Sequence, residues 1–144
     1  MGVNNIESLR AWFRECPEIN KSAYFRTDFL APDPTEYALF SVPSSLSYHE
    51  NIIGEEVLDD IQTQNFIFSS KEFYGADTRQ NMANLGFYQR VTNWILQKNN
   101  LHEYPEWEDG VIKSIVPTLT AYPAQVGSSA AKYQIQIRIT YRRK

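Results

Sequence analysis

At 144 residues the chain has room for one domain, 1–144, whose folding buries roughly 68–70 % of the unfolded surface. A composition that is 42 % hydrophobic and 14 % aromatic excludes a disordered tail, and the absence of any run near ~18 apolar residues excludes a membrane-spanning helix. The net charge of −3 argues against a general polyanion binder, and the single cysteine, Cys16, excludes an internal disulfide and fits a reducing compartment.

Helical spacing opens the chain. Asn4 and Asn5 are N-cap candidates, Ile6, Leu9 and Phe13 with Val3 make one apolar face, and Trp12 widens it. Pro17 stops the pattern, so the first helix is predicted over about residues 5–15. The stretch "MGVNNIESLRAW" shows no charged start followed by an apolar block, and Ile6 stands where a myristoylation signal needs Ser or Thr, so neither signal is expected. The stretch from Pro17 to Glu36 reads as loop, closing on Pro32 and Pro34.

"EYALFSVP" is a short strand, and "LSYHENIIGEEVLDDIQTQNFIFSS" a long hairpin with its turn near Gly54. Phe66 and Phe68 fall on one side of its second arm and Ile67 on the other, which marks the best-buried strand. The arms near the turn are polar and acidic, so that end is expected to project beyond the core.

A second helical region follows, with Asp77 as a cap candidate. Phe87, Val91, Trp94, Ile95 and Lys98 keep spacings of three and four, and Gly86 predicts a kink or break. Two closing strands, "VIKSIVPTLTAYP" and "AKYQIQIRITYRR", follow an acidic, aromatic loop. Pro117 places the first at a sheet edge or a bulge. In the last, Tyr133, Ile135, Ile137, Ile139 and Tyr141 share one side, and Lys132, Gln134, Gln136, Arg138, Thr140 and Arg142 the other. The order α-β-β-β-α-β-β predicts an α+β domain: a mostly antiparallel twisted sheet with two main helices on one face. Its core anchors are Phe66, Phe68, Phe87, Trp94 and the five inward residues of the last strand. Tyr24, Phe25, Tyr37, Phe40, Tyr48, Phe73 and Tyr74 are expected as core and strand residues.

The chain carries little chemistry. Its two histidines, His49 and His102, fall in an arm and a polar loop, and neither begins a His-x-x-x-Asp signature: Ile53 and Glu106 stand at the fourth position after each. There is no nucleophile elbow and no phosphate-cradling glycine loop. One cysteine and two separated histidines do not make a structural zinc site, and "EEVLDD" lacks the ligand spacing of a calcium loop. Neither enzymatic activity, nor a cofactor, nor a metal is expected.

Charge is segregated instead. No Lys or Arg lies between Arg26 and Lys71, a span holding Asp28, Asp33, Glu36, Glu50, Glu55, Glu56, Asp59 and Asp60. Glu103, Glu106, Glu108 and Asp109 form a second acidic patch, while Lys132, Arg138, Arg142, Arg143 and Lys144 make the end basic. Unlike patches on one molecule are what a head-to-tail ring needs.

The words "IESLRAWFRECP", "PTEYALFSVP", "FIFSSKEFYGADTRQNMANLGFYQRVTNWI" and "AKYQIQIRITY", in this order across nearly the whole chain, resemble the tail terminators of tailed phages, prophages and phage-tail-like bacteriocins. The resemblance implies a structural protein of the virion tail, made and assembled in the bacterial cytoplasm. It implies a six-membered ring that caps the tail tube, ends its polymerisation and offers a head–tail joining surface. The implied partners are other copies of the chain, tube and sheath proteins, and the head–tail connector, with DNA passing through the lumen and no membrane. A head-completion or connector ring and a nucleic-acid-binding module are the alternatives. The interface residues expected from charge are Glu50, Asn51, Glu55, Glu56, Asp59 and Asp60 on the acidic side, and Arg138, Arg142 and Arg143 on the basic side. Pairing of these two sets between copies is expected.

Overall fold

The alternation of the last strand is the frame on which the molecule is built. The computed structural model describes residues 5–19, 25–27, 36–73, 78–108, 110–126 and 130–143. In chain order the elements are α1 (Asn5–Phe13), β1 (Phe25–Thr27), β2 (Glu36–Val42), β3 (Tyr48–Glu50), β4 (Glu56–Leu58), β5 (Ile61–Phe73), α2 (Thr78–Asn100), β6 (Gly110–Val126) and β7 (Ala130–Arg143). Five strands form one sheet in the order β1-β2-β5-β7-β6, and β3 pairs with β4 in a separate two-stranded sheet. Among the described residues all pairings are antiparallel except β1 with β2.

β7 lies between β5 and β6, and its inward residues Tyr133, Ile135, Ile137, Ile139 and Tyr141 are all buried. The register sets Ile137 against Phe66 and Ile135 against Phe68, so the expected anchors of β5 share that face. Ile67 is half-buried on the reverse face, and β5 is the central strand, as apolar residues on both sides implied. Pro117 sits on the edge strand β6, next to a register shift between Pro117 and Leu119; the missing N–H costs no ladder bond where no strand follows.

Both helices pack on the β7 core face. Leu9, Trp12 and Phe13 of α1 are buried, and the Phe13 ring stacks on Phe68 at 5.0 Å between centroids. Phe25 and Tyr37 close around the same Phe68 ring, at 5.7 and 5.9 Å. α2 lies chiefly over β6 and buries Tyr88, Val91 and Ile95 at helical spacing. Phe87 and Trp94, expected as anchors, are only half-buried at the margin of this core, because Tyr88 takes the central place. Ser70 donates to the Tyr88 hydroxyl at 2.5 Å, and Tyr88 donates to the Tyr133 carbonyl at 3.0 Å, so one buried chain of bonds ties α2 to β5 and β7.

Several expectations need correction. α1 ends at Phe13, and Cys16, buried, lies in the turn beyond it. The predicted loop holds a strand, β1, whose three residues pair with Tyr37, Ala38 and Leu39 of β2. The predicted hairpin is two units: its turn does fall at Gly54, at φ 85°, but β3 and β4 make a short separate arm, and β5 pairs with β2 instead. Gly86 does not break α2, which runs unbroken through it. A glycine costs about 1 kcal/mol there, less than the buried face of α2 supplies by packing. Tyr48 is exposed rather than core. Asn4, Tyr24, Asp28, Asp33, Tyr74, Asp77, Asp109 and Lys144 lie outside the described residues, as does the Phe73 side chain.

His102 closes α2. It adopts φ 55°, its N–H bonds the Asn99 carbonyl and the Glu103 N–H reaches back to the Lys98 carbonyl, a Schellman-type end with histidine where glycine is usual.

Candidate functional site: an acidic arm and a basic sheet face

The β3–β4 arm carries the acidic residues singled out from the sequence. Its turn is held by Asn51, whose side-chain oxygen accepts from the Ile53 and Glu55 amides at 3.1 and 2.9 Å, while its carbonyl accepts from Gly54. This geometry turns two adjacent isoleucines outward: Ile52 is fully exposed and Ile53 is 74 % exposed. Glu50, Glu55 and Glu56 flank them, all exposed. The tip is therefore apolar within an acidic border, not uniformly polar as expected.

The base of the arm is fixed to the sheet. Gln62, on the core face of β5 and only 1 % exposed, accepts from the Ser47 amide at 2.9 Å. Its amide nitrogen donates to the Ser47 and Asp59 carbonyls, each at 2.8 Å. From β7, Arg143 donates to the Asp59 carbonyl at 3.0 Å and the Leu58 carbonyl at 3.1 Å, and its own amide bonds the Asp60 carbonyl. A charged donor on carbonyls makes bonds of the stronger kind.

Asp59 adds a third brace. Its carboxylate accepts from the Ser47 hydroxyl and bonds His49 Nδ1 at 2.6 Å. The Ser47 bond and then His49 hold its pKa below the ordinary 3.8. Serine, histidine and aspartate thus meet on the arm, but the carboxylate, not the imidazole, holds the hydroxyl. Nucleophilic catalysis needs the base between the other two. Among the described residues no three His, Cys, Asp or Glu side chains group to hold a metal ion, and no helix is long and apolar enough to cross a membrane.

Part of the set expected to pair between copies is held within one chain, through backbone carbonyls and not through ion pairs. Asp59, Asp60 and Arg143 are tied together at the root of the arm. Glu50, Glu55 and Glu56 at its end, and Arg138 and Arg142 on β7, are exposed and make no ion pair among the described residues.

Arg138 and Arg142 belong to a larger surface. Strand register puts Arg26, Lys71, Lys132, Arg138 and Arg142 on the face opposite the helices, with Glu36 the only carboxylate among the described residues there. Glu36 is 3.4 Å from Arg26, which leaves the remaining four cations in excess. Lys132 reaches across the sheet to lie 4.7 Å from the centroid of the Phe40 ring. Between the cations the face is mixed: Gln134, Gln136 and Thr140 of β7 and Asn65 of β5 alternate with Phe40, Ile67 and Val116, which are half-buried, and Ile61, Val111 and Tyr122, which are exposed.

Among the described residues, concavities lie on the helix side. One, of about 460 Å³ between α2 and β6, is lined by Leu85, Tyr88, Thr92, Pro117 and Thr118 and by no charged residue. Another, about 370 Å³ beside α1, is lined by Glu7, Glu15 and Glu106, so acidity extends over the helix side. Sequence reading missed Gln62, Tyr88 and the isoleucine tip. Gln62 was within reach, because counting back by twos from Phe68 and Phe66 puts it on the core face.

The chain matches no known protein-family model, and a search of curated proteins finds no match.

Proposed function

We propose that the chain is a structural protein of the tail-terminator kind, which assembles with its own copies into a ring, caps a phage tail tube and offers a surface for head joining. The sequence resemblance supplies the tail assignment. The observation that carries a self-assembling role is the separation of an acidic, apolar-tipped arm from a basic sheet face on one molecule. Unlike patches of this kind join head to tail, and such contacts close into rings when the rotation allows. The braces on the arm support the same reading, since a fixed arm loses little freedom on docking. No cofactor or metal is needed for this role, and no catalysis.

Immunogold labelling of phage tails or tail-like particles made by a bacterium that carries the chain tests the reading. Label at one end of headless tails is expected. Label confined to tail-less heads would favour a connector ring instead, and label on neither would refute both.

The four-cation excess on the sheet face favours a second reading, in which that face lines a lumen and meets passing DNA. Retention of DNA by the protein, lost steeply as salt rises, is its signature.

A further inference from the structure

We infer that the basic sheet face of one copy receives the arm tip of a second copy, with Ile52 and Ile53 as anchors and Glu50, Glu55 and Glu56 as the charged border. This rests on the self-assembly reading above and names the contact that makes it.

Three observations converge on that occupant. The tip sets two outward isoleucines within a border of three carboxylates. The sheet face has the opposite charge, with Lys132, Arg138 and Arg142 beside the apolar Ile67, Val116 and Val111 and the uncharged Gln136 and Thr140. Among the described residues neither set of charges makes an ion pair, and Lys132 lies over the Phe40 ring. Apolar anchors give an interface most of its affinity, and complementary charge fixes register and speeds encounter.

The acidic groove beside α1 is the weaker match for the basic face. None of its lining residues is an exposed large apolar side chain, so it lacks an anchor. At the arm's root the Asp59 carboxylate is committed to Ser47 and His49, while Asp60 is engaged only through its backbone carbonyl, which accepts from the Arg143 amide. Arg143 is committed likewise, which leaves Arg138 and Arg142 as the receiving cations.

The contact is heterologous, and this permits a decisive test with the full chain. One variant carries Ile52→Asp and Ile53→Asp, which spoils the tip and leaves the face. The other carries Arg138→Glu and Arg142→Glu, which spoils the face and leaves the tip. Circular dichroism and thermal melts first establish that both fold, as exposed positions allow. In sedimentation equilibrium the unaltered chain associates, in a salt-sensitive manner, and each variant alone is weakened by at least ~30-fold. An equimolar mixture of the two regains association but stops at one-to-one pairs, because only one intact contact can form.

A mixture that stays monomeric overturns the inference, as does an unaltered chain that remains monomeric at ~1 mM. Loss of DNA retention in the Arg variant, with association untouched in both, would assign the face to nucleic acid instead. Association that follows these rules in a chain absent from tails would leave the contact standing and remove the tail reading. A chain found on tails whose variants behave alike would do the reverse.

Discussion

Gln62→Leu is the sharpest probe of whether the arm is a rigid device. The buried glutamine makes three side-chain bonds to the arm's root, at 2.9, 2.8 and 2.8 Å. Each is worth a net ~0.5–1.5 kcal/mol, and leucine of similar size regains part of the loss by packing beside Tyr141, its cross-strand neighbour. The net local cost is about 2–3 kcal/mol. It should appear as opening of the arm and not of the sheet, since the ladder between β5 and β7 remains. At 1.4 kcal/mol per tenfold change, hydrogen exchange should accelerate roughly 30- to 150-fold at the amides of Asp59, bonded to Ser47, and Arg143, bonded to Asp60. The Ile135 and Ile137 amides, deep in β7, should keep most of their protection. Unchanged exchange at Asp59 would refute the bracing role of Gln62. Equal acceleration at Ile135 and Asp59 would refute the arm's independence of the core.

Gly110→Ala should destabilise the fold by about 1–3 kcal/mol, read from the denaturant midpoint, because a Cβ there would lie 1.9 Å from the Arg142 carbonyl oxygen of the adjacent strand. Burial raises the Glu72 pKa against the opposing Ser70 bond. Its contribution is thus fully present below the unfolded value of 4.5 and lost as pH rises through the higher folded value. Glu72→Gln should therefore raise the melting temperature at neutral pH and leave it nearly unchanged in acid. Asp59 has the opposite sign: its folded pKa is depressed, so its support of the arm is present above 3.8 and lost as pH falls through the lower folded value. Amide exchange at Asp59 should quicken over that acid interval, and Asp59→Asn should abolish the dependence.

Local alternation made much of this molecule readable. The facing of Tyr133 to Tyr141 follows from a period of two that no partner can alter without turning every side chain over, and the structure keeps it. Phe66 and Phe68 were legible for the same reason, as was Pro117 at an edge. The arm was legible only as a projection with a turn at Gly54. Its independence from the sheet depends on β5 choosing β2 and β7 as neighbours, a matter of residues far apart in sequence. The expected charge pairing shows the same limit. Asp59, Asp60 and Arg143 have the right signs, yet strand register brings them together at one root, where a backbone donor and a guanidinium bond carbonyls.

By itself, then, the sequence determined the class of the fold, the inward face of β7 and the helical stripe of α1, because each is written in the spacing of neighbouring residues. Only tertiary structure decided that Phe25–Thr27 is a strand, that Gly86 lies within a continuous helix, and that Tyr88 displaces Phe87 and Trp94 from the centre. It also decided that Gln62 is buried as a brace and that scattered Lys and Arg residues share one face. Those outcomes depend on which surfaces meet when the chain closes on itself, and burial against a distant partner outweighs the preferences of any short stretch.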